Sequence, residues 1–329
     1  MRTKAWVVAV AVALSACDHP APFSVEDPGA LGPSSATLPL RLTFNPLEDL
    51  DPSSTADEIV FARLEPGRSD LDRCIAFMPW AGGTLSRVFC AGGTHADSVT
   101  DAWLQPAVSD DGYIAYVRQQ GHVGWVTPTT RRLVVAPVDA PDSALHDVGL
   151  YFELDDGQRI TAFRELRWLG DSAIRFVAGE DSFPRPDGVW DTVFTPHTLA
   201  DLDLRTLTYR EVPGARGASS FVVLPEGAVW FVVGRDLFRL IPGDSAATRL
   251  GSFSGSVTSL GIVDGLPVGV QASVDSSLIE WVDPETGMVR GMLTVAGGAG
   301  HITGLPGTRR FVVELPGVVG PDLWLMSLP

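Results

Sequence analysis

The stretch Ser277-Leu-Ile-Glu-Trp-Val-Asp-Pro284 is a strand-like run that ends in proline, and it recurs along the chain. The copies that end in proline seven residues after their start are Asp72–Pro79, Gly121–Pro128 and Asp322–Pro329, and the looser copies are Asp201–Thr208 and Asp236–Pro242. Clusters of Gly, Pro, Asp and Ser separate these apolar runs, and no segment sustains a helical period. This pattern predicts an all-β chain built from repeated units.

A second element precedes each copy, and it consists of a turn followed by another apolar run. Ser109-Asp110-Asp111-Gly112 before Tyr113–Val117 and Asp264-Gly265 before Leu266–Val270 are two examples of the six. Six copies of each element predict a six-bladed β-propeller of four-stranded blades over residues 38–329. The last repeat stops after its third strand, so we expect Leu38–Phe44 to supply the fourth strand and close the ring.

The segments Pro106–Val117 and Asp322–Met326 resemble blades of TolB-type propellers. The resemblance extends over residues ~38–329 as a pattern of degenerate blades, and it implies the fold more than a function. TolB also has an α/β domain before its propeller, where this chain has only ~20 residues. The resemblance therefore implies no Tol–Pal partner role here.

The first residues are typical of a bacterial lipoprotein. A basic start, Met1–Lys4, precedes the uncharged run Ala5–Leu14, which is too short to span a bilayer. Leu14-Ser15-Ala16-Cys17 resembles the bacterial lipobox, which implies a signal peptide over 1–16 and lipidation of Cys17. Residues 17–37 are rich in Pro, Ser, Ala and Gly and are interpreted as a disordered tether. These features predict a lipid-anchored protein of the cell envelope that faces the periplasm or the exterior, with inner and outer membrane both open.

The net charge of −16 and the absence of any lysine beyond Lys4 exclude several classes of function. No polybasic surface is available for nucleic acid or for electrostatic docking on a membrane. Schiff-base chemistry, pyridoxal phosphate attachment and a P-loop lysine are excluded by the same count. No cofactor, metal or catalytic residue is predicted from the motifs present.

Cys74 and Cys90 remain once Cys17 is assigned to lipid. They flank a turn at Ala81–Thr84, and residue 82 lies midway between them. If the two runs pair as a hairpin, the cysteines face each other across neighbouring strands and form a disulfide. Two free buried thiols are the alternative.

Two long stretches around blade 3 are the candidate binding face. Pro137–Thr161 joins blades 2 and 3, with a small hairpin expected around Asp155-Asp156-Gly157, and Gly179–Thr198 joins the second and third strands of blade 3. Both connections emerge at the same end of a propeller, where long loops often bind ligands. Their candidate residues are His146, Asp147, Asp155, Asp156, Asp187, Trp190 and Asp191. The alternative is that these stretches are insertions without a function.

We therefore expect a non-enzymatic scaffold that binds an envelope protein or a small ligand. The alternative is an envelope hydrolase acting on glycans, which would need two carboxylates ~5–9.5 Å apart in a solvent-filled funnel. A funnel lined by Arg, Ser and backbone groups would favour the binding protein.

Overall fold

The chain forms a six-bladed β-propeller, as described by a computed structural model with residues 39–44, 47–68, 72–91, 99–122, 130–149, 151–182, 193–317 and 320–329. The strands are, in chain order, β1 (Leu40–Arg41), β2 (Asp49–Ser54), β3 (Glu58–Arg63), β4 (Cys74–Pro79), β5 (Arg87–Phe89), β6 (Val99–Val108), β7 (Tyr113–His122), β8 (Thr130–Pro137), β9 (His146–Gly149), β10 (Phe152–Glu153), β11 (Arg159–Ile160), β12 (Ala162–Leu169), β13 (Ala173–Ser182), β14 (Val193–Asp203), β15 (Thr208–Glu211), β16 (Ser220–Val223), β17 (Val229–Val233), β18 (Asp236–Leu240), β19 (Thr248–Ser252), β20 (Ser259–Val263), β21 (Leu266–Gln271), β22 (Ser276–Val282), β23 (Val289–Ala296), β24 (Ile302–Gly304), β25 (Arg310–Pro316) and β26 (Pro321–Ser327). None of the residues described above is helical, so no helix among them could cross a membrane.

Each blade is a four-stranded antiparallel sheet whose strands follow one another from the axis outward. Blades 1 to 5 comprise β2–β5, β6–β9, β12–β15, β16–β19 and β20–β23, and blade 6 comprises β24, β25, β26 and β1. The turn at Asp264-Gly265 shows how the local sequence sets the meander. Both residues have positive φ, 51° and 75°, as a type I′ hairpin requires.

The predicted closure of the ring is confirmed. β1 pairs antiparallel with β26, with Leu40 opposite Leu325 and Arg41 opposite Trp324. The Leu42 N–H then donates to the Leu323 carbonyl oxygen at 2.8 Å. The N-terminal segment thus completes the last blade and removes an open sheet edge.

Six hydrophobic clusters fill the six seams between neighbouring blades. The cluster between blades 6 and 1 contains Leu42, Phe61 and Leu323, and the cluster between blades 3 and 4 contains Val177, Phe221 and Phe231. Because blades contact only their neighbours, each seam depends on residues from two adjacent repeats.

The repeat assignment in blade 2 is wrong at one position. Gly121–Pro128 is not a third strand, because β7 continues to His122 and pairs its Gln120 with Thr130 of β8. The third strand is Thr130–Pro137, which also ends in proline. A proline does end the third strand, as predicted, but it is Pro137 and not Pro128.

The stretch Pro137–Thr161 contains more ordered structure than a connection. His146–Gly149 is β9, the outermost strand of blade 2, so His146 and Asp147 do not lie in a loop. The expected hairpin around Asp155-Asp156-Gly157 is present as β10 paired with β11. In blade 3, β13 and β14 extend the sheet into the predicted loop, and Ser182 pairs with Val193. The last residues of β13 and the first residues of β14 therefore belong to the sheet and not to a loop.

Candidate functional site

The innermost strands β2, β6, β12, β16, β20 and β24 surround an axial channel. We call the end of the ring with the first-to-second-strand turns, such as Ser109–Gly112, the lower face. The upper face is the other end, which carries the β10–β11 hairpin. The chain direction within each blade determines this division, because successive antiparallel strands reverse.

Three innermost strands carry a β-bulge at equivalent positions. Asp51, Gln105 and Glu165 all have positive φ, at 54°, 55° and 57°. The pairing register shifts after each, in β2, β6 and β12. Positive φ in non-glycine residues is uncommon and marks positions held by surrounding contacts. Sequence reasoning missed this set, although Leu-Asp-Pro and Leu-Gln-Pro recur at residues 50–52 and 104–106.

These side chains belong to a ring of hydrogen bonds that crosses all six seams. In each link, a side-chain oxygen of one blade accepts a backbone N–H of the next. The links in ring order are Glu314 to Asp51, Asp51 to Gln105 at 3.1 Å, Gln105 to Glu165 at 3.0 Å, Glu165 to Phe221 at 3.0 Å, Ser220 to Leu260 at 2.7 Å and Ser259 to Ile302 at 3.2 Å. The axial acids thus satisfy backbone donors that the channel leaves unpaired.

His301 lies between two of these acids on the upper half of the channel. Its Nδ1 is 3.1 Å from Asp51 Oδ1 and 3.2 Å from Glu314 Oε1. Burial lowers the pKa of His301, but the carboxylates of Glu314, Asp51 and Glu165 outweigh it and raise that pKa to about 9. An imidazolium therefore pairs with the two acids at neutral pH.

The same three residues could hold a divalent metal, since each offers one ligand atom and these atoms lie within 4.8 Å of one another. The protonated ring of His301 already provides a positive charge beside the carboxylates of Asp51 and Glu314. The recess beside Asp51, Glu165 and His301 has a volume of only about 10 Å³. It holds at most a single water molecule.

A larger cavity opens on the lower half of the axis. It has a volume of about 210 Å³ and is lined by Arg167, Trp168, the hydroxyl-bearing residues Ser53, Ser54 and Thr303, and inner-strand segments of blades 2, 4, 5 and 6. Arg167 also lines the small upper recess, so this residue lies between the acidic cluster and the open cavity. Neither Arg167 nor Trp168 was selected from the sequence.

Trp168 connects this cavity to two grooves on the lower face. One groove of about 540 Å³ lies between blades 2 and 3 and includes Leu145 and His146. The other, of about 800 Å³, lies between blades 3 and 4 and includes Ile241. Trp168 lines both grooves and the axial cavity, and its indole N–H donates to the Ala107 carbonyl at 2.9 Å. The open recesses therefore converge on the lower end of blade 3.

The structure separates the residues that the sequence grouped into one binding face. His146 lies at the start of β9 on the lower face, and the neighbouring Asp147 pairs with Arg132. Asp155 and Asp156 lie at the β10–β11 turn on the upper face, where Asp156 pairs with Arg216 at 2.8 Å. Asp187, Trp190, Asp191 and Cys17 lie outside the described residues, as do the predicted signal peptide and tether. A binding role for the upper-face residues stays a prediction.

The predicted disulfide is present. Cys74 and Cys90 are bonded, with a Cα–Cα distance of 4.4 Å. Cys74 begins β4 and Cys90 follows β5, and Ile75 pairs with Phe89 between them. The hairpin symmetry inferred from residue 82 accounts for this pairing.

Comparisons with known proteins support the fold and leave the family open. No family model matches the chain, and no curated protein matches it in sequence. A gluconolactonase from Xanthomonas campestris superposes with a TM-score of 0.55 at 16% identity, covering 88% of this chain and 89% of that one. The Cps50 (Swd1) propeller domain of Myceliophteria thermophila gives a TM-score of 0.50 at 10% identity, covering 86% of this chain and 100% of that one.

TolB from Acinetobacter baumannii also matches, with a TM-score of 0.48 at 15% identity, covering 82% of this chain and 64% of that one. The gluconolactonase and the Cps50 domain, whose functions their names distinguish, share this architecture at low sequence identity. The likeness identifies a propeller, and the function must be argued from the site.

Proposed function

We propose that this chain is a lipid-anchored envelope protein whose propeller binds a protein or ligand without catalysis, on its lower face around Trp168. The observation that carries the proposal is the convergence of the axial cavity and two grooves on this one side chain. Tryptophan is a frequent anchor of binding surfaces because it offers a large apolar area at a small cost in conformational entropy.

Exposed apolar residues at the groove rims support this assignment. Leu145 in the smaller groove is 56% exposed, and Ile241 in the larger groove is 47% exposed. A partner that covered both rims would remove apolar surface from water on either side of blade 3.

The chemistry of the axis favours binding over glycan hydrolysis. A glycosidase needs two carboxylates free to exchange protons with a sugar in a solvent-filled pocket. Here Asp51, Glu165 and Glu314 accept N–H groups from neighbouring blades, and the recess beside Asp51 and Glu165 is about 10 Å³. The accessible cavity below them contains no carboxylate in its lining, which combines Arg167 with Ser, Thr, Trp and apolar inner-strand residues.

The test of the binding face is capture of partners from cross-linked envelopes with the intact lipoprotein as bait. Ile241→Glu and Leu145→Glu place a charge in each groove without emptying the core, so we expect weaker capture and an unchanged melting temperature. Met292→Glu is the matched control, because Met292 is 57% exposed on the outermost strand of blade 5, away from both grooves. Capture that resists both groove variants would contradict the lower-face assignment.

The same experiment tests the upper rim that the sequence suggested. If Trp190→Ala weakens capture and the groove variants do not, the partner binds the upper face.

The lipid anchor is tested separately. Mass spectrometry of the membrane fraction should find an acylated N-terminal Cys17, and Cys17→Ser should move the protein to the soluble fraction. A soluble mature protein beginning at another residue would end the anchor proposal.

A further inference from the structure

Arg167 presents unused hydrogen-bond donors to the lower axial cavity. Its Nη1 donates to the Leu166 carbonyl at 2.9 Å, and this is the one hydrogen bond that its guanidinium makes within the described part of the chain. A guanidinium has five N–H groups in a planar fork. Most of these donors are therefore available to a molecule in the cavity.

No acidic residue shares the cavity wall with Arg167. It is the only charged residue among those that line this space. Burial lowers the pKa of Arg167, and the charges of the nearest acids, Glu165 and Asp51, oppose that shift, but neither acid hydrogen-bonds its guanidinium. Both accept N–H groups of neighbouring blades instead, from Phe221 and Gln105. A positive charge withdrawn from bulk water is costly unless an anion pairs with it. Glu165 and Asp51 offset part of this cost from a distance, and none of the residues that line the cavity supplies a paired anion.

Neutral donors surround the same space. The Ser53 hydroxyl lines the cavity and makes no hydrogen bond with the described residues. On blades 4, 5 and 6, the backbone N–H groups of Phe221, Leu260 and Ile302 bond to side chains of the preceding blade. Backbone N–H groups point to alternate sides along a strand. The N–H groups two positions after these three residues therefore also face the channel. These belong to Val223, Ile262 and Gly304, which line the cavity.

The size and charge of the cavity indicate a carboxylate rather than a larger or more highly charged anion. One guanidinium neutralises one negative charge, and its fork matches the two oxygens of a carboxylate. Backbone carbonyls also face the channel, including Gly304 O, which accepts from Ser54 Oγ at 2.8 Å. Such carbonyls repel a phosphate dianion more than a monoanion. A volume of about 210 Å³ admits a small terminal group.

We propose that the lower axial cavity binds the carboxylate group of the ligand, with Arg167 as its bidentate partner. This inference rests on the proposed binding function and deepens it, because Trp168 leads from the cavity into the grooves that would hold the rest of the ligand. The carboxylate belongs either to a small organic acid or to the C-terminus of a peptide. The two sources share the chemistry that Arg167 recognises.

The experiment is isothermal titration of the purified full chain with paired probes. The probes are acetate, acetamide, inorganic phosphate, and acetyl-tetraalanine with either a free or an amidated C-terminus. We expect a free carboxylate to bind at least about tenfold more tightly than its amide, which corresponds to about 1.4 kcal/mol. Binding of acetate as tight as that of the peptide identifies a small acid as the source, and binding of the peptide alone identifies a C-terminus.

Two variants connect the binding to this cavity. Arg167→Gln should abolish the preference for the carboxylate. Ser53→Asp should do the same by placing a competing carboxylate beside Arg167, and it keeps the test valid if Arg167→Gln folds poorly. Arg249→Gln is the matched control, because Arg249 lies on the outermost strand of blade 4, lines neither the cavity nor the grooves, and pairs with Asp236 at 2.9 Å.

Equal binding of carboxylate and amide, no binding of either, tighter binding of phosphate than of acetate, or retention of the preference in Arg167→Gln would each overturn the inference. The proposed function fails by a different result. If carboxylates bind but the groove variants capture partners normally, the lower-face binding proposal is wrong. If carboxylates do not bind but Ile241→Glu still abolishes capture, only the carboxylate site is wrong.

Discussion

Leu42 offers a direct test of how the ring is closed. It is 0% exposed and packs in the seam between blades 6 and 1, beside Phe61 and Leu323. Replacing a fully buried leucine with alanine removes its transfer free energy and leaves a cavity, which together cost about 3 kcal/mol. A protein of this size loses roughly 2–4 °C per kcal/mol, so Leu42→Ala should melt about 6–12 °C below the wild type.

The assay is thermal unfolding followed by circular dichroism, with urea unfolding as a second measure. Phe44→Ala is the matched control, because Phe44 is two residues further along and 41% exposed, and losing its contact with the Arg41 guanidinium should lower the free energy of unfolding by at most about 1 kcal/mol. Deleting residues 38–44 should destabilise the protein more than Leu42→Ala does, since it also removes the Arg41–Asp322 ion pair of 2.7 Å. If Leu42→Ala melts with the wild type, or if deleting residues 18–34 has the same effect as deleting 38–44, the closure reasoning is refuted.

Three further predictions concern the channel and the disulfide. Because the folded-state pKa of His301 is raised to about 9, its ion pairs stabilise the fold fully below about pH 6.5, and that contribution is lost as the pH rises through about 9. The free energy of unfolding of the wild type minus that of His301→Gln should therefore fall between these pH values, and a pH-independent difference would disprove the assignment. Glu165→Gln should lower the free energy of unfolding by about 1–3 kcal/mol, because it weakens the acceptors of the Ser220 hydroxyl and the Phe221 N–H. Glu226→Gln, at an exposed position, should leave that free energy unchanged, and urea titrations of both variants measure the difference. Thiol labelling of the unreduced, denatured protein should find no reactive group at Cys74 or Cys90, and reduction should cost about 3 kcal/mol for a separation of 16 residues in the chain-entropy model.

The predictable part of the fold is the part that repeats. The turn before an apolar run recurs six times, and five of the six strand-like copies that follow end in proline, so one repeated local pattern predicts blade number, strand direction and closure. The error in blade 2 arose from the same proline pattern. Pro128 and Pro137 satisfy the pattern equally, and only the pairing of β7 with β8 distinguishes them.

The candidate site was less accessible to sequence reasoning because its residues are brought together from different repeats. Arg167 and Trp168 lie near the end of the innermost strand β12, and their neighbours in the sequence do not distinguish them from core positions. Their importance depends on the empty space beside them, which is a property of six strands arranged around an axis. His146 shows the converse, since its polar neighbourhood suggested a loop where the chain forms a strand.

The amino-acid sequence by itself determined the all-β class, the six repeats, the closing segment and the cysteine pair. Each of these depends on contacts between segments whose relative position follows from local turns and strand periodicity. Only the tertiary structure decided that Asp51, Gln105 and Glu165 connect neighbouring blades and that Arg167 faces an open cavity whose lining contains no acidic residue. The physical reason is that a ring brings residues more than a hundred positions apart onto one axis, where charge and space are shared among blades and no single repeat encodes the result.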